Sequence, residues 1–169
     1  MECRISGLPA GVGQPVFDKL SSVLGKAILS IGAVKGFEIG DGFGVAKAAG
    51  SSNNDPFVLD QGRIKKASNH AGGILGGISD GDPIIFRAAF KPTPSISITQ
   101  STVSKSMEET EIRIKGRHDP IIVPRAVVVV ETMAACVLFD QLLINMASRM
   151  DRVADFYNGG HKHGNGNDI

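Results

Sequence analysis

Four glycines fall within six residues at Gly72-Gly73 and Gly76-Gly77, and no other segment restricts what this chain can fold into as tightly. Each would weaken a helix by about 1 kcal/mol relative to alanine, so the run needs a compensating reason. Close approach of backbone to a ligand or to another backbone is one such reason, because glycine has no Cβ in the way. A tight helix crossing is the other, and the run alone leaves both open. Asn69 and His70 stand directly in front of it, with Ile78 and Ser79 behind.

Two further patches bear on that choice. Lys91-Pro92-Thr93-Pro94-Ser95 combines one cation, two hydroxyls and two stiffening prolines. Lysine with hydroxyls is a common way to hold phosphate, and the prolines set the local path. A solvated loop at a sheet edge explains the same residues blandly. Gly116-Arg117-His118-Asp119-Pro120 places a fixed cation, a titratable ring and a carboxylate in consecutive positions. Pro120 biases Asp119 toward extended geometry, and Arg117 can grip phosphate or carboxylate bidentately. Together the three patches describe a site for a large, flat, phosphorylated ligand.

Other motifs carry less. Gly40-Asp41-Gly42-Phe43-Gly44 has its third glycine one position early for a dinucleotide fingerprint, so it reads as a turn. His161 and His163 flank Lys162 with no third ligand nearby, which argues against a metal site. The net charge of +1 selects neither nucleic acid nor an anionic membrane. Cys3 and Cys136 lie far apart in apolar surroundings, as expected of two buried free thiols. The apolar stretch from Ala126 to Phe139 is broken by Glu131 and Thr132, too short to span a bilayer.

The chain suits one domain, residues 1–158, with a glycine- and histidine-bearing tail over 159–169 that cannot order itself. Glu2–Ser6 reads as a strand. Pro15 is placed to open a helix whose apolar stripe runs from Val16 and Phe17 through Leu20, Leu24 and Ile28 to Ile31. Strands are expected at 33–39, 83–90, 96–103 and 108–115, the last with Ile112 and Ile114 facing inward. Pro124 opens a second helix to about Met150, apolar on most faces and so expected between layers. The minority alternative is a strand through Val127–Val130. The fold class is α+β, with antiparallel strands packed against two long helices.

Taken together, Ala33-Val34-Lys35-Gly36-Phe37-Glu38-Ile39-Gly40-Asp41-Gly42-Phe43, Asn69–Ser79, Lys91–Ser95, Gly116–Pro120 and Pro124-Arg125-Ala126 resemble chorismate synthases in order and spacing. The likeness runs from Arg4 to Arg149 and matches only the C-terminal half of that family's chain. The family's two catalytic histidines, in Gly-Glu-Ser-His-Gly and Arg-Pro-Gly-His motifs, have no counterpart here. Gly32 replaces an Asn common in relatives, and Ile121 replaces a Cys.

The resemblance implies an α/β sandwich of antiparallel sheets and helices, part of a cytoplasmic homotetramer. It implies a carbon–oxygen lyase of aromatic amino-acid biosynthesis. The reaction is a 1,4-anti elimination of phosphate from 5-enolpyruvylshikimate 3-phosphate, giving chorismate. Reduced FMN (FMNH2) is the implied cofactor, with NADP as an associated nucleotide and no nucleic-acid or membrane partner. Gly32, Ala33 and Gly76 would line the flavin; Lys91, Pro92, Thr93, Pro94 and Ser95 would hold its phosphate and ribityl end. Arg117 would contact flavin or substrate, and Asp119 would relay a proton from flavin N5. Without the two histidines, a non-catalytic flavin- or anion-binding module and a purely structural fragment stand as alternatives.

Overall fold

The structure is a computed structural model that describes residues 1–117 and 119–159. His118, the His161-Lys162-His163 group and the expected tail beyond Gly159 lie outside the described residues.

A three-stranded antiparallel sheet in the order β1-β7-β2 carries the core. These strands are β1 (Glu2–Ile5), β2 (Val34–Ile39) and β7 (Ile84–Phe90). Alternation along β7 turns Ile84, Phe86 and Ala88 inward. Against them pack Leu20, Leu24 and Ile28 of α1 (Leu20–Leu29), and Val130, Ala134 and Leu138 of α2 (Val123–Ala147). Gly25 lets Phe37 lie against α1, since a Cβ there would stand 3.2 Å from its ring. The α+β class expected from the sequence holds.

Three hairpins extend from this core: β3–β4 (Phe57–Asp60 with Arg63–Lys66), β5–β6 (Ile74–Leu75 with Ile78–Ser79) and β8–β9 (Thr99–Val103 with Glu109–Arg113). A short 3-10 helix occupies Gly42–Lys47, and α3 (Met150–Tyr157) follows α2. The glycine run is therefore a tight hairpin and not a helix crossing. Gly76 and Gly77 form its turn, with φ of 58° and 91°.

Several expectations need correction. Pro15 does not open α1, which starts at Leu20, where its N–H donates to the Gly77 carbonyl at 2.8 Å. Val16 and Phe17 are exposed instead, and Phe17 has a left-handed φ of 53°. Strand β8 begins at Thr99, leaving Ile96 and Ile98 exposed outside it. Ile112 and Ile114 are exposed too: β8 and β9 form a two-stranded sheet, and among the described residues no second layer covers its Ile112. Cys136 is exposed and Cys3 only half-buried, though both are free.

Helix α2 departs most from expectation. It buries the single stripe Ala126, Val130, Ala134, Leu138 and Gln141, while Val128 and Phe139 are more than 60% exposed. At 25 residues it is long and apolar enough to cross a membrane by length and composition alone, a test that the core helix of a soluble protein also passes. Val127–Val130 are helical, so the strand alternative fails.

Candidate functional site

The glycine hairpin is held by a buried ionic cluster beneath it. The Lys66 side chain is 2% exposed, and its Nζ lies 2.7 Å from Asp80, 3.3 Å from Asp82 and 3.8 Å from Asp55. Asp55 accepts from the backbone N–H groups of His70 and Ala71, each at 2.9 Å, and from the Ser68 hydroxyl at 2.7 Å. His70 Nδ1 lies 2.8 Å from the same carboxylate. Burial alone would push the Asp55 carboxyl up, yet the donors from Ala71, Ser68 and His70 hold it well below the usual aspartate range. Burial likewise opposes charge on Lys66, but hydrogen bonds and attraction from Asp80 and Asp82 leave its ammonium above the ordinary lysine value.

Asn69 completes the frame. Its Oδ1 accepts from the Gly73 N–H at 2.8 Å, and its Nδ2 donates to the Pro83 carbonyl at 2.8 Å. Gly40 meets the run from the other side. A Cβ on Gly40 would fall 2.0 Å from the His70 carbonyl, and one on Gly72 would fall 2.5 Å from the Gly40 nitrogen. Backbone against backbone thus explains Gly72, while Gly76 is different: a Cβ there would meet nothing within 4 Å. Gly76 is exposed at the tip of the hairpin.

The far end of α1 carries the second group. Ala33 sits half-buried with a left-handed φ of 69°, and its carbonyl accepts from the Lys91 N–H at 2.7 Å. Gly32 beside it is open in the same way as Gly76. From this joint Lys91-Pro92-Thr93-Pro94-Ser95 leaves β7 as irregular backbone. The Thr93 hydroxyl is buried and has no hydrogen-bond partner among the described residues. A buried donor without a partner costs about 1–3 kcal/mol, so an acceptor belongs there.

Arg117 is exposed, two residues before a third element of the site. Asp119 is paired with Arg125 on the first turn of α2, at 2.7 Å from Nη1 and 3.4 Å from Nη2. The structure therefore brings Gly32, Ala33 and Lys91 together. It sets Gly76 at the opposite end of α1, whose ten residues measure about 15 Å. Composition around Asp55, Lys66, Asp80, Asp82 and Gly40 carried no sign of their convergence, which spans 43 residues of chain. Asp55 was legible only as part of a loop.

Among the described residues, no group of three or more His, Cys, Asp or Glu side chains could hold a metal ion. Lys91 and the orphaned Thr93 hydroxyl could serve phosphate or ribityl oxygens with exposed Gly32 beside them, while Gly76 lies about a helix length away and does not share a ring-sized face with Gly32.

Comparison with known proteins bears on the same residues. A family described as Chorismate synthase matches residues 1–143. The chain is 66% identical over 156 residues to the chorismate synthase of Agathobacter rectalis, covering 92% of this chain and 42% of that one. It is 63% identical over 157 residues to that of Lachnospira eligens, covering 93% and 43%. For Archaeoglobus fulgidus the identity is 59% over 145 residues, covering 85% and 40%. A solved "Crystal Structure of Chorismate Synthase" superposes with a TM-score of 0.66 at 31% identity, over 93% of this chain and 40% of that one. The chain spans about two fifths of the length of the curated relatives it matches.

Proposed function

The chain belongs to the chorismate synthase family, and from that premise we propose that it forms the flavin-gripping portion of a chorismate synthase. The reaction is elimination of phosphate from 5-enolpyruvylshikimate 3-phosphate to give chorismate, in the cytoplasmic synthesis of aromatic amino acids. It breaks the ring carbon–oxygen bond to phosphate and removes a proton from the opposite face. The observation that carries this reading is the joint between Ala33 and Lys91, with the unpartnered Thr93 hydroxyl two residues on.

Reduced FMN, when bound, would supply transient electron density to the substrate, with no net redox change. The residues of this chain bind, orient and move protons around it. Lys91 and Thr93 hold the phosphate and ribityl end, while Pro92 and Pro94 keep that segment from rearranging. The peptides of Gly32 and Ala33 support the ring, and Ser95 closes the segment. Gly76, one helix length away, meets the far end of the same elongated ligand. Arg117 would offer a forked cation to flavin or substrate, and Asp119, oriented by Arg125, would hold or relay a proton for flavin N5.

General acids matched to the working pH contribute about a hundredfold to ten-thousandfold, and this chain lacks the two histidine motifs. The proposal therefore assigns those acids to the three fifths of the family's length that has no counterpart here, in a homotetrameric assembly. Mixing this chain with that remainder from Agathobacter rectalis tests it. Phosphate release from the substrate with reduced FMN is the expected result. Tight FMN binding by this chain with no turnover in the mixture would instead mark a non-catalytic flavin module.

A further inference from the structure

Helix α3 closes on Asn158, its C-cap, and Gly159 follows. This is one of two Asn–Gly pairs in the chain; the other, Asn165–Gly166, lies outside the described residues. An asparagine before glycine can close a ring on itself. The glycine nitrogen attacks the side-chain Cγ, and no Cβ on the attacking residue hinders the approach. In a folded chain the outcome depends on how firmly the amide and that N–H are held.

Asn158 is held least. Asn69 uses both ends of its amide, toward Gly73 and Pro83. Asn145 donates to the Gly11 carbonyl at 2.8 Å and accepts from Arg152 at 3.3 Å. Asn53 donates to Asp41 at 2.9 Å, and Asn54, though exposed, is followed by Asp55 and not by glycine. Asn158 is exposed, and its side chain makes no hydrogen bond among the described residues. The Gly159 N–H reaches only the Phe156 carbonyl, at 3.3 Å, and Gly159 has a left-handed φ of 73°. The helix itself is slight: α3 has eight residues, Val153 alone is as much as half-buried, and no side chain caps its start.

We propose that Asn158 deamidates through this ring, and that the carboxylate it leaves loosens α3 from α2. The Gly159 nitrogen gives up its proton and bonds to Cγ; the Cγ–Nδ2 bond breaks, and ammonia leaves carrying that proton. Water then opens the cyclic imide at either carbonyl, to aspartate or to isoaspartate, with no oxidant or reductant needed. Either product puts a negative charge at the C-terminal end of α3, where the helix macrodipole is itself negative. The isoaspartyl form also adds a methylene to the main chain. The inference stands on α3 alone and does not depend on the reading of the chain as a portion of a chorismate synthase.

The full chain, kept in mildly alkaline buffer and then digested with trypsin, tests the first step. The peptide Val153–Lys162 contains Asn158 as its sole asparagine, and Asn165 falls in another peptide. Val153–Lys162 should gain one mass unit and become a substrate for an isoaspartyl methyltransferase. Peptides carrying Asn53, Asn69 and Asn145 should change about fivefold or more slowly, since a hydrogen bond must first break. Asn158→Ser should abolish the gain. An unchanged mass in the parent, or a gain that persists in Asn158→Ser, overturns the inference. Limited digestion tests the second step. Trypsin should cut Asn158→Asp after Arg152 about twofold to fivefold faster than the parent, the worth of one charge against a helix end. Equal cutting would overturn the loosening of α3.

Discussion

The Lys91 N–H donates to the Ala33 carbonyl at 2.7 Å, joining the residue after β7 to the left-handed residue before β2. These strands are sheet neighbours, with Val34 opposite Phe90, so their ends place the Lys91–Ser95 segment beside the exposed Gly32. Any change in Thr93 can then be read for ligand and for fold separately.

Thr93→Val deletes the buried unpartnered hydroxyl and keeps the shape of the side chain. Stability measured by urea unfolding should hold or rise by up to about 1 kcal/mol, because an unsatisfied polar group is removed. FMN affinity of the assembly with the family's remainder should fall about tenfold, the worth of one hydrogen bond. A loss of stability with unchanged FMN affinity would assign the hydroxyl to the fold instead.

Gly40→Ala and Gly76→Ala separate backbone contact from backbone conformation. Both positions have positive φ, so each substitution carries a strain cost of about 1–2 kcal/mol. Only Gly40 would drive its new carbon into the His70 carbonyl. Gly40→Ala should therefore destabilise by about 3 kcal/mol or more, and Gly76→Ala by about 1 kcal/mol. Equal unfolding midpoints for the two variants would contradict the close crossing of the two loops.

Lys66→Met leaves Asp55, Asp80 and Asp82 without their shared counter-charge in a nearly closed site. Removing one member of a buried ion cluster costs about 3–5 kcal/mol. The expected result is a loss of that size in urea unfolding. Lys65→Met should change little, since Lys65 pairs with Asp60 at the surface.

Acid should loosen the same cluster. The folded Asp55 carboxyl titrates below its unfolded value, so its stabilisation is complete above about pH 4 and is lost as pH falls toward the folded value. Lys66 titrates above its unfolded value, so its share is present below about pH 10.4 and is lost as pH rises through the folded value. Unfolding free energies measured from pH 7 to pH 3 should fall less steeply in Asp55→Asn than in the parent. An unchanged slope would place the acid sensitivity elsewhere.

Part of this architecture was legible residue by residue. The strand at 83–90 was expected and forms as β7, and the period-3.6 stripe Leu20, Leu24 and Ile28 faces the core as expected. The start of α1 was not legible, because Pro15 is a sound first-turn residue. What decides that boundary is an acceptor 57 residues away, the Gly77 carbonyl bound by Leu20. The inward placement of Ile112 and Ile114 failed for a related reason. Alternation predicts which side chains share a face, and it does not say whether another layer covers that face.

The order of glycines, prolines and charged residues sufficed to specify the family likeness, since residue types at fixed spacing carry it without any knowledge of distant contacts. Only the tertiary structure decided that Gly72 serves a crossing with Gly40 while Gly76 stays open, that Asp55 and Lys66 form the frame beneath them, and that α2 keeps an uncovered side. Those outcomes depend on which distant segments come into van der Waals or ionic contact, and pairing across tens of residues leaves no local periodic trace for a sequence to display.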